Sequence, residues 1–383
     1  MPARSWMAGA IVLSFAFPGY ATAQAIKIGV IGMMTGPGAA WGIAAAEAAR
    51  FAAEEANAAG GLDVNGAKRK VEVIVYDDQY KASESLAAYN RLVNEDGAKF
   101  FMTMSSAAML AMTQDVERDN VLVLTGSYSR KVINADIKHI IRMYSTPTEY
   151  MEGAIRWMKG NLPGKRVAIV NPNDETGWDI TDVSARGFAK EGYEVITREL
   201  YDRTQKDFQP LLTRVIAMQP DFIELGSSSP ALAGLIVRQA RELGYKNAFS
   251  ALGGPGPREI VAAAGAAAAE GMVNILYADP ANKAYQELSE RFQKKIGQPP
   301  NEFIVPCYDS VKVLLKAISL SGDPDNAEKV AGAFAKALPM KSLQGQDLSF
   351  GGKSTMGTDA QIMTVNYIGQ IRNGQPVAVG VTK

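Results

Sequence analysis

The side chains that most often carry catalysis are nearly missing from this chain of 383 residues. It has one cysteine, Cys307, and one histidine, His139. A thiol–imidazole pair would need both, and they stand in unrelated segments with no supporting motif. A single cysteine excludes an internal disulfide and a cysteine-rich metal site. A single histidine excludes the paired-histidine zinc motif. Gly32, Gly36 and Gly38 miss the spacing of a dinucleotide-binding turn, and neither a phosphate-binding P-loop nor a Gly-x-Ser-x-Gly elbow is present. Asp77-Asp78 are adjacent acids, but at the end of an apolar run they read as a polar strand end meeting water and helix amides. No enzyme, cofactor or metal is expected.

What recurs is a loop of small hydroxyl residues after successive apolar runs. Ser105-Ser106 follow Phe100–Thr103. Thr125-Gly126-Ser127-Tyr128-Ser129 follow residues 121–124. Gly226-Ser227-Ser228-Ser229 follow residues 221–225. Each precedes a predicted helix, so hydroxyls and the free amides of a helix start point out of the loop. That chemistry suits a small anion such as a carboxylate. One such loop is ordinarily only a helix cap; the repetition along one sheet edge favours a site.

These loops need a regular scaffold. Ile26, Ile28, Val30 and Ile31 form a near-continuous apolar run, as in a strand buried on both faces. Gly36-Pro37-Gly38 turns the chain. A helix rich in Ala and Glu follows and stops at Gly60-Gly61. Strands and helices alternate from there to about residue 143, which argues for a parallel sheet with helices on both faces. Thr146-Pro147-Thr148-Glu149 opens a second series with a capping box. It continues through strands at 167–170, 194–196, 221–225, 248–252 and 272–276. Helices at 282–296, 308–321 and 326–338 and a late strand at 362–371 are too few for a third domain and must complete the earlier sheets. The Ala-rich stretch 262–269 reads as a loose helix. The fold class expected is α/β, with two doubly wound parallel-sheet lobes joined by a multi-strand hinge. Lobe 1 is read as 26–145 plus 278–361, and lobe 2 as 146–277 plus 362–383.

Composition agrees with a two-lobed globular protein. Apolar residues are 47% and charged residues 21% of the chain, and 40 basic residues balance 40 acidic ones. A nucleic-acid surface would show a basic excess. The N-terminus has Arg4, an apolar core at 8–17, a Pro18-Gly19 break and the small residues Ala21-Thr22-Ala23. This is the layout of a signal peptide spanning 1–23 and cut after Ala23. Its apolar core is about half the roughly 20 residues a spanning helix needs. No cysteine follows it, so no lipid anchor is expected there.

The chain resembles type I periplasmic solute-binding proteins of ABC importers, in the leucine/isoleucine/valine-binding group. The resemblance rests on Ile26-Lys27-Ile28-Gly29, Thr35-Gly36-Pro37, Trp41-Gly42 and Ala59-Gly60-Gly61-Leu62. It continues in Tyr76-Asp77-Asp78, in Lys206-Asp207-Phe208-Gln209-Pro210-Leu211, and in Arg238 to Gly244. It implies a ligand held in a cleft between closing lobes, a periplasmic location, a membrane permease as partner and a monomer without stable membrane insertion. The family's carboxylate-binding positions fall on Ser106, beside Ser105, and on Ser127 and Ser129. Its first-loop aromatic falls on Trp41. In lobe 2 the pattern departs. Thr176, with Trp178 close by, and Ser229 stand where the family has tyrosines. Gly253 stands near the acid that holds an amino acid's ammonium. Either Asp174, Glu175 or Glu224 replaces that acid, or the ligand is an aromatic or aliphatic carboxylate without an amine. Arg130 has two readings, support for the carboxylate or a side chain facing water. The alternatives in function are an amino-acid-specific (Leu/Ile/Val or Phe) binding protein and the ligand-sensing module of a signalling system.

Overall fold

A computed structural model describes residues 24–254 and 256–382. The expected signal peptide lies outside the described residues. Ile26–Gly32 sits between Val71–Asp77 and Phe100–Thr103, in parallel register with both. Ile28 and Val30 pack into one apolar cluster with the helices Ala39–Ala58 and Ile304–Ser321, while Ile31 packs into another with Ala82–Asn94 and Ser106–Asp119. Both faces of the strand are therefore covered, which is why its apolar pattern is continuous rather than alternating.

The first sheet has eight strands. Their order is Met340–Lys341, Asp347–Gly351, Gln361–Met363, Ile140–Arg142, Leu122–Thr125, Phe100–Thr103, Ile26–Gly32 and Val71–Asp77. The second has seven, in the order Gln375–Val381, Tyr367–Arg372, Val273–Leu276, Ala248–Ala251, Phe222–Glu224, Arg166–Pro172 and Glu194–Tyr201. Each sheet is parallel through its middle, with antiparallel strands at one edge. These are the two doubly wound lobes expected.

The chain passes between the sheets three times, near residues 143–147, 277–282 and 364–366. The crossings are tied together. Ser145 N–H donates to Thr364 Oγ1 at 3.1 Å, Thr364 N–H donates to Ser145 Oγ at 3.0 Å, and the Tyr277 hydroxyl donates to the Ser145 carbonyl at 3.0 Å.

Some elements differ from expectation. The late strand at 362–371 is two strands, Gln361–Met363 and Tyr367–Arg372, one in each sheet. The Ala-rich stretch belongs to two helices, Pro257–Ala264 and Ala266–Ala269, which part at Gly265. The strand Ile140–Arg142, the hairpin Leu62–Val64 with Ala67–Arg69, and the final strand Gln375–Val381 were not expected. No helix among the described residues is long and apolar enough to cross a membrane.

Candidate functional site

The first-lobe wall is built by helix starts. The Ser105 side chain accepts from Ala108 N–H at 3.0 Å and caps Ser106–Asp119. That cap leaves Ser106 at the first helical position and buried; like Ser127 and Ser129 it lies behind the residues that surround the cavity rather than among them. Three groups converge on Ser106 Oγ: the Ser127 hydroxyl at 3.0 Å, Ser129 N–H at 3.1 Å and, from the other lobe, the Thr176 hydroxyl at 2.9 Å. A hydroxyl has two lone pairs, whereas a carboxylate offers about four acceptor sites. Ser106 accepts two of these bonds and donates its own hydroxyl to the third partner, and the cluster gathers N–H and O–H groups of the kind a carboxylate accepts.

Beside these donors the cleft is aromatic. Trp41, Tyr80, Tyr128 and Phe303 surround a central cavity of about 20 Å³, together with Met104, Gly126, Thr176, Ser227 and Gly254. That volume holds about one water. Tyr80 owes its place to the two acids. Asp77 accepts from Met34 N–H at 2.9 Å, the Thr35 hydroxyl at 2.6 Å and Gln79 N–H at 2.9 Å, joining the first loop to the second. Burial raises its pKa, but these bonds outweigh burial and hold it below the usual carboxylate range. Asp78, fully buried, accepts from Tyr80 N–H at 2.9 Å and the Ser85 hydroxyl at 3.0 Å, and burial pushes it up. Gln79 and Tyr80 both have positive φ, +51° and +61°. An aromatic residue rarely adopts this region, and the two aspartates hold it there. Asp77-Asp78 therefore face backbone amides and hydroxyls, not solvent alone.

The second-lobe wall starts from Asp174, which accepts from Gly177 N–H at 2.9 Å and caps Glu175–Lys190. A Cβ at Gly177 would lie 1.8 Å from the Pro172 carbonyl oxygen, so only glycine lets this helix start close enough to its strand to present Thr176. Asp174 also pairs with Arg203. The Arg203 guanidinium lies 4.3 Å from the centroid of the Tyr80 ring in the opposite lobe. Ser227 lines the cavity and its N–H donates to Asn171 Oδ1 at 2.9 Å. Ser229, two residues on, is buried with a hydroxyl that finds no partner among the described residues. Trp178 is 47% exposed, and its indole donates to Asn173 Oδ1 at 2.8 Å.

Gly253 stands against backbone. A Cβ there would lie 2.2 Å from the Gly226 carbonyl oxygen, and the Gly253 carbonyl accepts from the Tyr150 hydroxyl at 3.0 Å. The three acids that might replace a side chain at this point are placed otherwise. Glu224 accepts from Gly226 N–H at 2.9 Å, Leu252 N–H at 3.0 Å and the Ser250 hydroxyl, tying two strand ends together. Burial pushes it up to about 7 despite those bonds. Asp174 is paired with Arg203, and Glu175 is not among the residues around the cavity. Arg130 does not line the cavity and is exposed, as in the reading that it faces water, but it is also paired. Its N–H donates to Asp179 at 3.2 Å and its guanidinium to Asp182 at 2.9 Å, both on the second lobe, so it bridges the cleft mouth.

Cys307 is buried in Ile304–Ser321 and burial pushes its thiol up; His139 pairs with Glu117 at 3.0 Å. Neither lines the cavity. Among the residues missed from sequence are Tyr80, Met104 and Phe303, which line the cavity, and Arg203, which stacks on Tyr80; Ser227 belongs to a hydroxyl loop that the sequence did single out. Tyr80 alone had a local signal, an aromatic two residues beyond the end of the strand that closes on Asp77-Asp78.

Two α/β lobes, three crossings, and one cleft whose walls meet through Thr176, Arg203 and Arg130 define a two-lobed protein that binds a solute by closing. The particular assignment follows from comparison: the chain belongs to the periplasmic binding protein family, which it matches over residues 25–376. It is a binding protein, not an enzyme. A leucine-, isoleucine-, valine-, threonine- and alanine-binding protein of Pseudomonas aeruginosa is 32% identical over 320 residues, covering 82% of each chain. Two solved structures share the fold. One is the branched-chain amino acid transporter substrate-binding protein of Streptococcus pneumoniae with isoleucine, at TM-score 0.80 and 22% identity, covering 94% of this chain and 99% of that one. The other is an ABC-transporter solute-binding protein of R. palustris with benzoate, at TM-score 0.77 and 18% identity, covering 93% and 96%.

Proposed function

We propose that this protein captures a small aromatic or aliphatic carboxylate without an amine and delivers it to the permease of an ABC importer. Ser106, Ser127, Ser129 and Thr176 bind the carboxylate, and Trp41, Tyr80, Tyr128 and Phe303 enclose its apolar part. The observation that carries the reading is Gly253, where Gly226 leaves no room for an acid. A buried ammonium without such a partner costs several kcal/mol. Proteins of this fold hold both kinds of ligand, isoleucine in one and benzoate in the other, so the choice lies with the cleft residues. Micromolar affinity requires about 8 kcal/mol. Charge-assisted hydrogen bonds at roughly 1.5–3 kcal/mol each, with the aromatic contacts, reach that range.

The test is a thermal-shift panel of benzoate, short fatty acids, their amides, leucine and phenylalanine. The carboxylates should raise the melting temperature and the amino acids should not. If only the amino acids raise it, the amine-free reading fails. The amino-acid reading, favoured by the name of the 32%-identical relative, then stands. We also infer that residues 1–23 are a leader for export; a mature N-terminus at Gln24 in exported protein tests the cut after Ala23.

A further inference from the structure

Behind the Ser129 loop, outside the cavity, lies a guanidinium. Arg142 ends the strand Ile140–Arg142, in register with Thr125 on one side and Gln361 on the other. It is 2% exposed. One Nη donates to the Ser129 carbonyl at 2.8 Å; the other reaches Gln361 Oε1 at 3.4 Å and the Met356 sulfur at 3.0 Å. Its Nε finds no partner among the described residues. All three acceptors are neutral. Among the described residues no carboxylate stands within ion-pair distance, although burial works strongly against the charge. Glu149 and Asp179 act on it only from further away and are engaged elsewhere, Glu149 with Thr146 and Thr355, Asp179 with Arg130.

A buried cation without a paired anion is unfavourable by several kcal/mol. The nearest part of the cleft is the Ser129 peptide, whose carbonyl meets Arg142 and whose residue's N–H points at Ser106 Oγ. We propose that Arg142 is a positioning and specificity-determining residue: a fixed positive charge, without an ion-pair partner among the described residues, behind the Ser129 loop that makes the first lobe select ligands by net negative charge. This rests on the reading that the cleft takes a carboxylate. The Ser106 donors alone would accept a neutral amide oxygen nearly as well as a carboxylate. A unit charge about 7 Å away at an effective dielectric of about 20 separates the two by about 10- to 50-fold in affinity.

Gln361 provides the test. It is fully buried beside Arg142, and Gln361→Glu places a carboxylate on the guanidinium without changing size. The variant forms a buried ion pair and leaves every cleft residue in place. Benzoate and benzamide are titrated calorimetrically into wild type and Q361E, with Arg142→Met as a second variant. The expected result is about a 10- to 50-fold weaker benzoate affinity in Q361E, with benzamide changed less than about twofold. Unchanged benzoate affinity in Q361E, or equal losses for acid and amide, overturns the inference while leaving the carboxylate reading intact. If the wild type binds none of the acids, both readings fall. R142M, where it folds, should reproduce the acid-selective loss; a loss shared equally by the amide marks Arg142 as structural.

Discussion

Replacing Ser106 by alanine removes the oxygen on which both lobes converge. Three hydrogen bonds arrive there, from Ser127, Ser129 and Thr176. With a carboxylate in the cleft the variant lacks one donor to a charged acceptor, about 1.5–3 kcal/mol. It also lacks the bond between lobes, about 0.5–1.5 kcal/mol for a neutral pair. Together these give about 2–4.5 kcal/mol, or roughly 30- to 2,000-fold in Kd. Thr176→Val likewise removes a donor to the carboxylate together with the bond between lobes and should weaken binding by a similar factor. Titration calorimetry with benzoate measures both, and the unliganded melting temperature controls for folding, since the Ser105 cap is retained in either variant. A Kd within threefold of wild type for either S106A or T176V refutes the convergent-donor argument.

Arg130→Ala opens the bridge to Asp179 and Asp182. Arg130 is partly solvent-exposed, so the loss is about 0.2–1 kcal/mol, read as a dissociation rate up to about fivefold faster whose excess vanishes at high salt. Gly253→Asp forces a side chain against Gly226 and should destabilise the fold by about 1–3 kcal/mol without gaining affinity for leucine; a leucine site in that variant contradicts the steric argument. Burial pushes Glu224 up to about 7, Glu302 up to about 8 and Asp309 up to about 7. The folded state keeps these protons after the unfolded chain has lost them, so stability falls as pH rises from about 4.5 to about 8. The melting temperature should be lower at pH 8.5 than at pH 5, and Glu302→Gln should flatten part of that slope.

The architecture was legible where the period of the sequence is local. The run at Ile26–Gly32, the turn at Gly36-Pro37-Gly38 and the alternation that follows required only near neighbours. The strand Ile140–Arg142 was not legible, because three residues ending in arginine carry no strand signal; pairing with Leu122–Thr125 and Gln361–Met363 makes it one. The two late strands share one apolar run, and only the hinge between Met363 and Tyr367 sends them to different sheets. In the cleft, hydroxyls at strand ends could be read because a helix start dictates where they point. Arg203 and Phe303 could not, since each comes from a distant segment: Arg203 stacks on Tyr80, and Phe303 lines the cavity and packs on rings such as Tyr144, 4.9 Å away. Arg142 is hidden for the opposite reason, as a charged residue reads as surface until a loop and two strands are folded over it.

The three crossings also set the order in which the protein can be built. Gln361–Met363 joins the edge hairpin of the first sheet to Ile140–Arg142, and Tyr367–Arg372 with Gln375–Val381 finish the second. Neither lobe can complete its sheet while the chain is being synthesised up to residue 360. At about 5–20 residues per second the strand Ile140–Arg142 waits many seconds for Gln361–Met363, its partner more than two hundred positions away. Such non-local pairing is slow to form. The lobes are therefore finished almost together, and the cleft appears only when the whole chain is available.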